Sequence, residues 1–158
     1  MPKYLLLLLS IVVLASCGSS KRTVSSKKNN VSKAERIVIN AQRFSGTPYA
    51  FGGTSRSGMD CSGLIYTAFL EEEIQLPRVS RDMAKRGTPI PLKSVKSGDL
   101  LFFRTNKSSK QINHVGLVTQ MRDGLIYFIH STSSKGVITS DLNQSYWKKA
   151  FVQARRVI

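Results

Sequence analysis

Cys61, His114 and His130 are the residues in this chain whose types and positions suit covalent chemistry. Asp60 is placed to cap a helix that begins at Cys61, since an Asp side chain accepts hydrogen bonds from the free N–H groups of a first turn. Those N–H groups and the positive end of the helix dipole favour thiolate over thiol. A cysteine nucleophile also needs a base within hydrogen-bond reach. The only two histidines flank Asp123-Gly124, a strong hairpin signal. The start of one strand and the end of the next then meet at one edge of a sheet. An even register sum puts both rings on the face that meets Cys61, and direct pairing would set their Cβ atoms roughly 5 Å apart. One ring can take the thiol proton while the other orients it. A slip of one residue would turn one ring to the opposite face. Two other readings fit the same residues: a small buried cysteine of no chemical use, and a Cys-His-His zinc site. The second lacks the close ligand pairs of structural zinc sites, so neither a metal nor another cofactor is expected.

Periodicity supplies the elements that would position these groups. Ile37, Val38, Ala41 and Phe44 have helical spacing over Ala34 to Phe44, and Gly46-Thr47-Pro48 stops that helix. A second helix reads from Cys61 to about Glu72. It ends on Glu71, Glu72 and Glu73, the wrong sign for a helix C-terminus, so that end should fray or pair with cations. Past Pro91 come short apolar or alternating runs at 98–103, 114–120, 125–131, 136–142 and 150–158, separated by polar turn clusters. Helices followed by an antiparallel sheet make an α+β domain over residues 34–158.

The rest of the chain bears on location. Lys3 precedes an apolar stretch from Tyr4 to Ala15 that suits a secretory signal and is too short for a spanning helix. It ends in Leu14-Ala15-Ser16-Cys17, which resembles a bacterial lipoprotein box. Residues 1–16 are expected to be removed and Cys17 to carry acyl chains, in preference to a plain signal peptide with an incidental cysteine. A lipidated Cys17 could not pair with Cys61, which would remain a free thiol in an oxidising compartment. Residues 17–33 are polar and basic, a flexible tether. Lys and Arg number 24 against 9 Asp and Glu, a net charge of +15. Nucleic acid is the usual partner of such a charge, but an exported protein would not meet it; polymers rich in carboxylates suit it. The expected location is the cell envelope, at the outer membrane facing the periplasm, with the membrane contacted through lipid on Cys17.

Asp60-Cys61-Ser62-Gly63-Leu64, Gly98-Asp99-Leu100-Leu101-Phe102-Phe103, Asn113-His114-Val115-Gly116-Leu117-Val118 and Ile129-His130-Ser131 occur in that order. This ordered set resembles the NlpC family of papain-like cell-wall cysteine peptidases over nearly all of 34–158. The resemblance implies a papain-like NlpC fold, with N-terminal helices on a central antiparallel sheet. It implies Cys61 as nucleophile, His114 as base and His130 as the orienting residue. Tyr49 would help stabilise the oxyanion beside the Cys61 N–H, a place where a donor is useful. Asp60 and Ser80 fall where members of the family contact the substrate's amino terminus. Arg78 fits either a substrate contact or an ion pair. Met83 stands where the family tends to have Gln. The implied activity is hydrolysis of amide bonds in peptidoglycan stem peptides by a lipid-anchored enzyme. Acyl transfer by the same Cys–His pair and a non-catalytic wall-binding lipoprotein are the alternatives.

Overall fold

The computed structural model describes residues 31–106 and 108–158. The expected signal peptide (1–16), Cys17 and most of the tether (17–33) lie outside the described residues. Helix α1 (Lys33–Gln42) opens with a reciprocal cap: Ser32 Oγ accepts from Glu35 N–H at 3.2 Å, and Glu35 Oε2 accepts from Ser32 N–H at 2.7 Å. A small hairpin, β1 (Thr54–Ser55) and β2 (Gly58–Met59), leads into α2 (Cys61–Leu70). A four-residue α3 (Ser80–Met83) and β3 (Thr88–Ile90) follow. The remaining elements are β4 (Leu100–Phe103), β5 (His114–Arg122), β6 (Leu125–Thr132), β7 (Gly136–Asp141), α4 (Ser145–Ala150) and β8 (Phe151–Arg156). The acidic end of α2 pairs with cations as its sign requires: Glu72 meets Arg36 at 2.7 Å and Glu71 meets Arg43 at 3.5 Å.

Strands β3 to β8 form one antiparallel sheet in the order β3-β8-β4-β5-β6-β7. The sheet has an apolar core on each face. Leu100, Phe102, Val115, Leu117 and Ile129 pack under α1 and α2. Leu101, Phe103, Val118, Phe128 and Ala154 pack with Trp147 and Ala150 of α4 on the other face. The expected antiparallel sheet is present, with two additions. Edge strand β3 contains Pro89, which the position tolerates because its missing N–H faces away from the ladder. Helix α4 is too short to show a period in the sequence.

The β5–β6 hairpin sets the geometry of the site. From the turn, Arg122↔Leu125, Met121↔Ile126 and Gln120↔Tyr127 pair in register. Continued unbroken, that register would send the two histidine rings to opposite faces. Instead Thr119 is an extra residue, and beyond this bulge the pairs are Val118↔Phe128 and Leu117↔Ile129. The shift restores the even sum and returns both rings to one face. Thr119 is itself held, its Oγ1 donating to the Tyr127 carbonyl at 3.2 Å and its carbonyl accepting from Ser97 Oγ at 2.9 Å. The histidines are not directly opposite: extended by one pair, the register Leu117↔Ile129 would set His130 across from Gly116, two residues from His114.

Candidate active site

Cys61 opens α2, and Asp60 caps it: Oδ1 accepts from Gly63 N–H at 2.6 Å and Oδ2 from Gly52 N–H at 2.8 Å. Arg78 closes on the same carboxylate in a fork, Nη1 to Oδ1 at 2.9 Å and Nη2 to Oδ2 at 3.0 Å. The guanidinium also donates to Ser62 Oγ at 2.9 Å and to the Gly53 carbonyl at 3.3 Å. Arg78 is thus an ion-pair residue that ties the 50–53 loop to the helix start. Burial pushes the Asp60 carboxyl up, but Arg78 and the two backbone N–H groups outweigh it and hold the group below the usual carboxylate range. Gly63 is needed at this junction, because a Cβ there would overlap the Gly53 carbonyl oxygen.

On the other side, His114 Nε2 lies 2.9 Å from His130 Nδ1, and His130 Nε2 lies 2.9 Å from Ser140 Oγ. His114 keeps only Nδ1 for a further partner. For Nδ1 to act as a base, Nε2 must carry the proton and donate to His130 Nδ1. His130 must then be protonated on Nε2 and donate to Ser140. One tautomer of each ring satisfies the whole chain. Trp147 packs against both rings, stacked on His114 at 5.3 Å between centroids and edge-on to His130 at 4.5 Å. Ser140 and Trp147 were not singled out from sequence. A serine on a strand carries no signal, whereas Trp147, the only tryptophan, offered a weak one.

Both rings lie on the α4 face of the sheet, not on the helix face where α2 packs, which corrects the expectation of a common face with Cys61. Cys61 and His114 line one cavity at the end of the sheet, with His130 behind His114. Paired residues of β5 and β6 run only as far as Leu117↔Ile129. Past that point Cys61 Sγ lies 4.0 Å from the Asn113 carbonyl and accepts from the Val115 N–H. Ser131 Oγ donates to the Met59 carbonyl at 2.7 Å, fixing the end of β6 against the segment that leads into α2.

Two cavities meet at Cys61, Tyr49 and Asn113. One, of about 370 Å³, continues along His114, Thr105, Ser131 and Trp147. The other, of about 390 Å³, continues along Asp60, Arg78 and Ser80. Tyr49 is 37% exposed at their junction. Partial burial, then the neighbouring Cys61 and Asp60, raise its phenol above the ordinary value, so it stays a donor. The candidate site residues from the described part of the sequence therefore line this cleft, except His130, which supports His114 from behind. Met83 is fully buried in the core, so its departure from the family's Gln bears on packing and not on the cleft.

Burial lowers His114 to about 4 and, helped by the charge of His114, lowers His130 to about 3. The rings are neutral at pH 7. Burial raises the Cys61 thiol, and the Asp60 charge adds to that; hydrogen bonds from the N–H groups of Val115, Ser62 and Cys61 itself pull the other way and lose. The helix start acts in the expected direction but is outweighed, and no imidazolium is present to hold a thiolate. The resting pair is thiol and neutral imidazole, a correction to the thiolate expected from sequence.

A thiol at a helix start, an imidazole lining the same cavity and a papain-like order of helices before sheet fit a cysteine peptidase. The chain belongs to the NlpC/P60 family, whose profile matches residues 46–156. It is 34% identical over 158 residues to the probable endopeptidase NlpC of Escherichia coli K12, covering 98% of this chain and 99% of that one. It is 32% identical over 145 residues to the murein DD-endopeptidase MepS/murein LD-carboxypeptidase of the same organism, covering 91% of this chain and 73% of that one. A solved Staphylococcus aureus protein, described as similar to lipoprotein and of the NLP/P60 family, superposes with a TM-score of 0.69 at 33% identity. The match covers 80% of this chain and spans 41% of that longer one.

Proposed function

We propose that this protein is a lipid-anchored cell-wall endopeptidase that hydrolyses amide bonds in peptidoglycan stem peptides with Cys61, His114 and His130. The observation that carries the proposal is the ring chain at 2.9 Å, which leaves His114 Nδ1 as the only free nitrogen of that ring, in a cavity shared with Cys61. His114 takes the thiol proton as the sulfur attacks the carbonyl carbon. Tyr49 and the Cys61 N–H receive the oxyanion. His114 then gives the proton to the leaving amine, and water, activated by the same nitrogen, releases the acid from the thioester. Asp60, Arg78 and Ser80 line the acyl-side half of the cleft. Asp60 and Ser80 are candidates for the substrate's amino terminus, while Arg78 keeps Asp60 ionised for that contact. The murein endopeptidase relative supports the substrate class. Removal of residues 1–16, lipidation of Cys17 and a place at the outer membrane facing the periplasm belong to the same proposal, with 17–33 as tether and 34–158 as the enzyme.

Incubating the mature protein with purified peptidoglycan should release peptide fragments identifiable by mass spectrometry, and Cys61→Ala should release none. Intact wall after incubation with a folded wild-type protein would leave the binding alternative. Products carrying an added amine or alcohol in place of water would establish acyl transfer. A mature protein without the mass of acyl chains on Cys17 would overturn the anchor.

A further inference from the structure

We propose that Arg104 and Lys149 form a carboxylate-binding subsite for the fragment of the substrate that leaves as the amine. The inference rests on the amide-hydrolase reading and adds a specificity to it. A cavity of about 500 Å³, lined by Arg104, Thr105, Ser145, Tyr146, Lys149 and Ala150, adjoins the His114 half of the cleft and shares Thr105 and Tyr146 with it. Among the described residues no acidic side chain lines it. Both cations are exposed, and neither belongs to an ion pair among the described residues. Arg78, the cation of the opposite half, is spent on Asp60. The unspent positive charge of the cleft therefore sits on one side only.

That side has a chemical identity. The departing nitrogen must collect its proton from His114, so the amine fragment occupies the half of the cleft that His114 lines. The cation-bearing segment is fixed to the reacting centre. Thr105 N–H donates to Asn113 Oδ1 and Asn113 Nδ2 donates to Thr105 Oγ1, each at 2.9 Å, while the Asn113 carbonyl is the one beside Cys61 Sγ. Arg104 N–H donates to the Ala150 carbonyl at 2.8 Å, setting it beside the end of α4 that carries Lys149. A guanidinium and an ammonium flanked by the hydroxyls of Thr105, Ser145 and Tyr146 suit a carboxylate, which accepts from several donors at once.

The test uses two stem-type peptides that differ only in a free carboxylate or a carboxamide on the leaving residue. Binding is measured by calorimetry to the full chain carrying Cys61→Ala, and turnover on the wild-type background. The carboxylate peptide should bind about tenfold more tightly, roughly 1.4 kcal/mol. Arg104→Glu with Lys149→Glu should abolish or reverse that preference, raising KM for the carboxylate peptide while kcat and carboxamide binding stay within about twofold. Arg104→Gln with Lys149→Gln should give the intermediate result and guards against misfolding of the charge reversal. Equal losses on both peptides, no preference in the parent, or no binding of either peptide would each overturn the subsite. Absence of cleavage by wild type would overturn the hydrolase reading alone, because binding to Cys61→Ala still decides this one.

Discussion

On the Asp60 side of Cys61 the cleft is held by charge: a carboxylate accepts from Gly63, Gly52, Ser62 and both ends of the Arg78 fork. On the His114 side it is held by burial, with two neutral rings joined to each other and to Ser140 under Trp147. The difference follows from what each side must do. A group that holds a loop in place and offers a fixed negative charge can stay permanently ionised. A group that must accept and return a proton has to change charge at small cost. With His114 in its proposed role as base, burial makes its imidazolium a strong acid, which would favour delivery of the proton to a leaving amine. The first transfer from a raised thiol is correspondingly uphill, and the donors at the oxyanion position must offset it.

The largest break in this comparison comes from inserting one residue between Gly116 and Leu117. The pairs Val118↔Phe128 and Leu117↔Ile129 are kept, but the insertion turns the His114 ring to the face opposite His130, so hydrolysis should fall by about a thousandfold or more while far-UV circular dichroism stays native-like. Activity within tenfold of wild type would show that the rings meet some other way. Next, Arg78→Ala strands a largely buried carboxylate and should cost about 3 kcal/mol in urea unfolding, with Arg78→Lys recovering part of it. A loss below about 0.5 kcal/mol would place the pair among ordinary surface ion pairs.

Acid separates the two sides by window. The histidines bind protons more weakly folded than unfolded, so their contribution is full above about 6.5, falls as pH drops toward about 4, and is gone below both folded values. It should amount to several kcal/mol, since each unit of depression corresponds to about 1.4 kcal/mol. Asp60, with its folded value depressed, keeps its contribution down to the ordinary carboxylate range and loses it below that. Urea titrations should therefore show two steps. In His114→Gln/His130→Gln the upper step should shrink, and in Arg78→Ala the lower one. A single step below pH 4 in wild type would contradict the buried neutral rings. The smallest effect is expected for Ser140→Ala, which removes the acceptor of the His130 N–H: about tenfold in kcat at unchanged KM, roughly 1.4 kcal/mol.

The parts legible in the sequence are those fixed by local chemistry. Asp60 is a cap because Asp accepts from N–H groups, and Asp123-Gly124 is a turn because Gly124 takes a φ of 75° and Asp123 one of 53°. These two features were enough to bring Cys61 and both histidines to one end of the sheet. What the sequence hides depends on partners far along the chain. The bulge at Thr119 is stabilised by Ser97 and Tyr127, and no feature of Val118-Thr119-Gln120 announces it. Arg78 finds Asp60 across the fold, and Ser140 becomes an acceptor only because β7 lies beside β6. The charge state of Cys61 was misjudged for the same reason, since the helix start is visible locally and the burial is not.

The protonation of the two rings tests the account most directly. Nitrogen-15 spectra of histidine-labelled, full-length protein, recorded from pH 7.5 down to the acid limit of folding, report which ring nitrogens carry protons. Both rings should be neutral at pH 7, each protonated on Nε2 and not on Nδ1, and should remain so to below pH 5. An imidazolium on His114 at pH 7, or a ring of either histidine titrating near 6.5, would contradict a site in which burial keeps the base neutral until the thiol attacks.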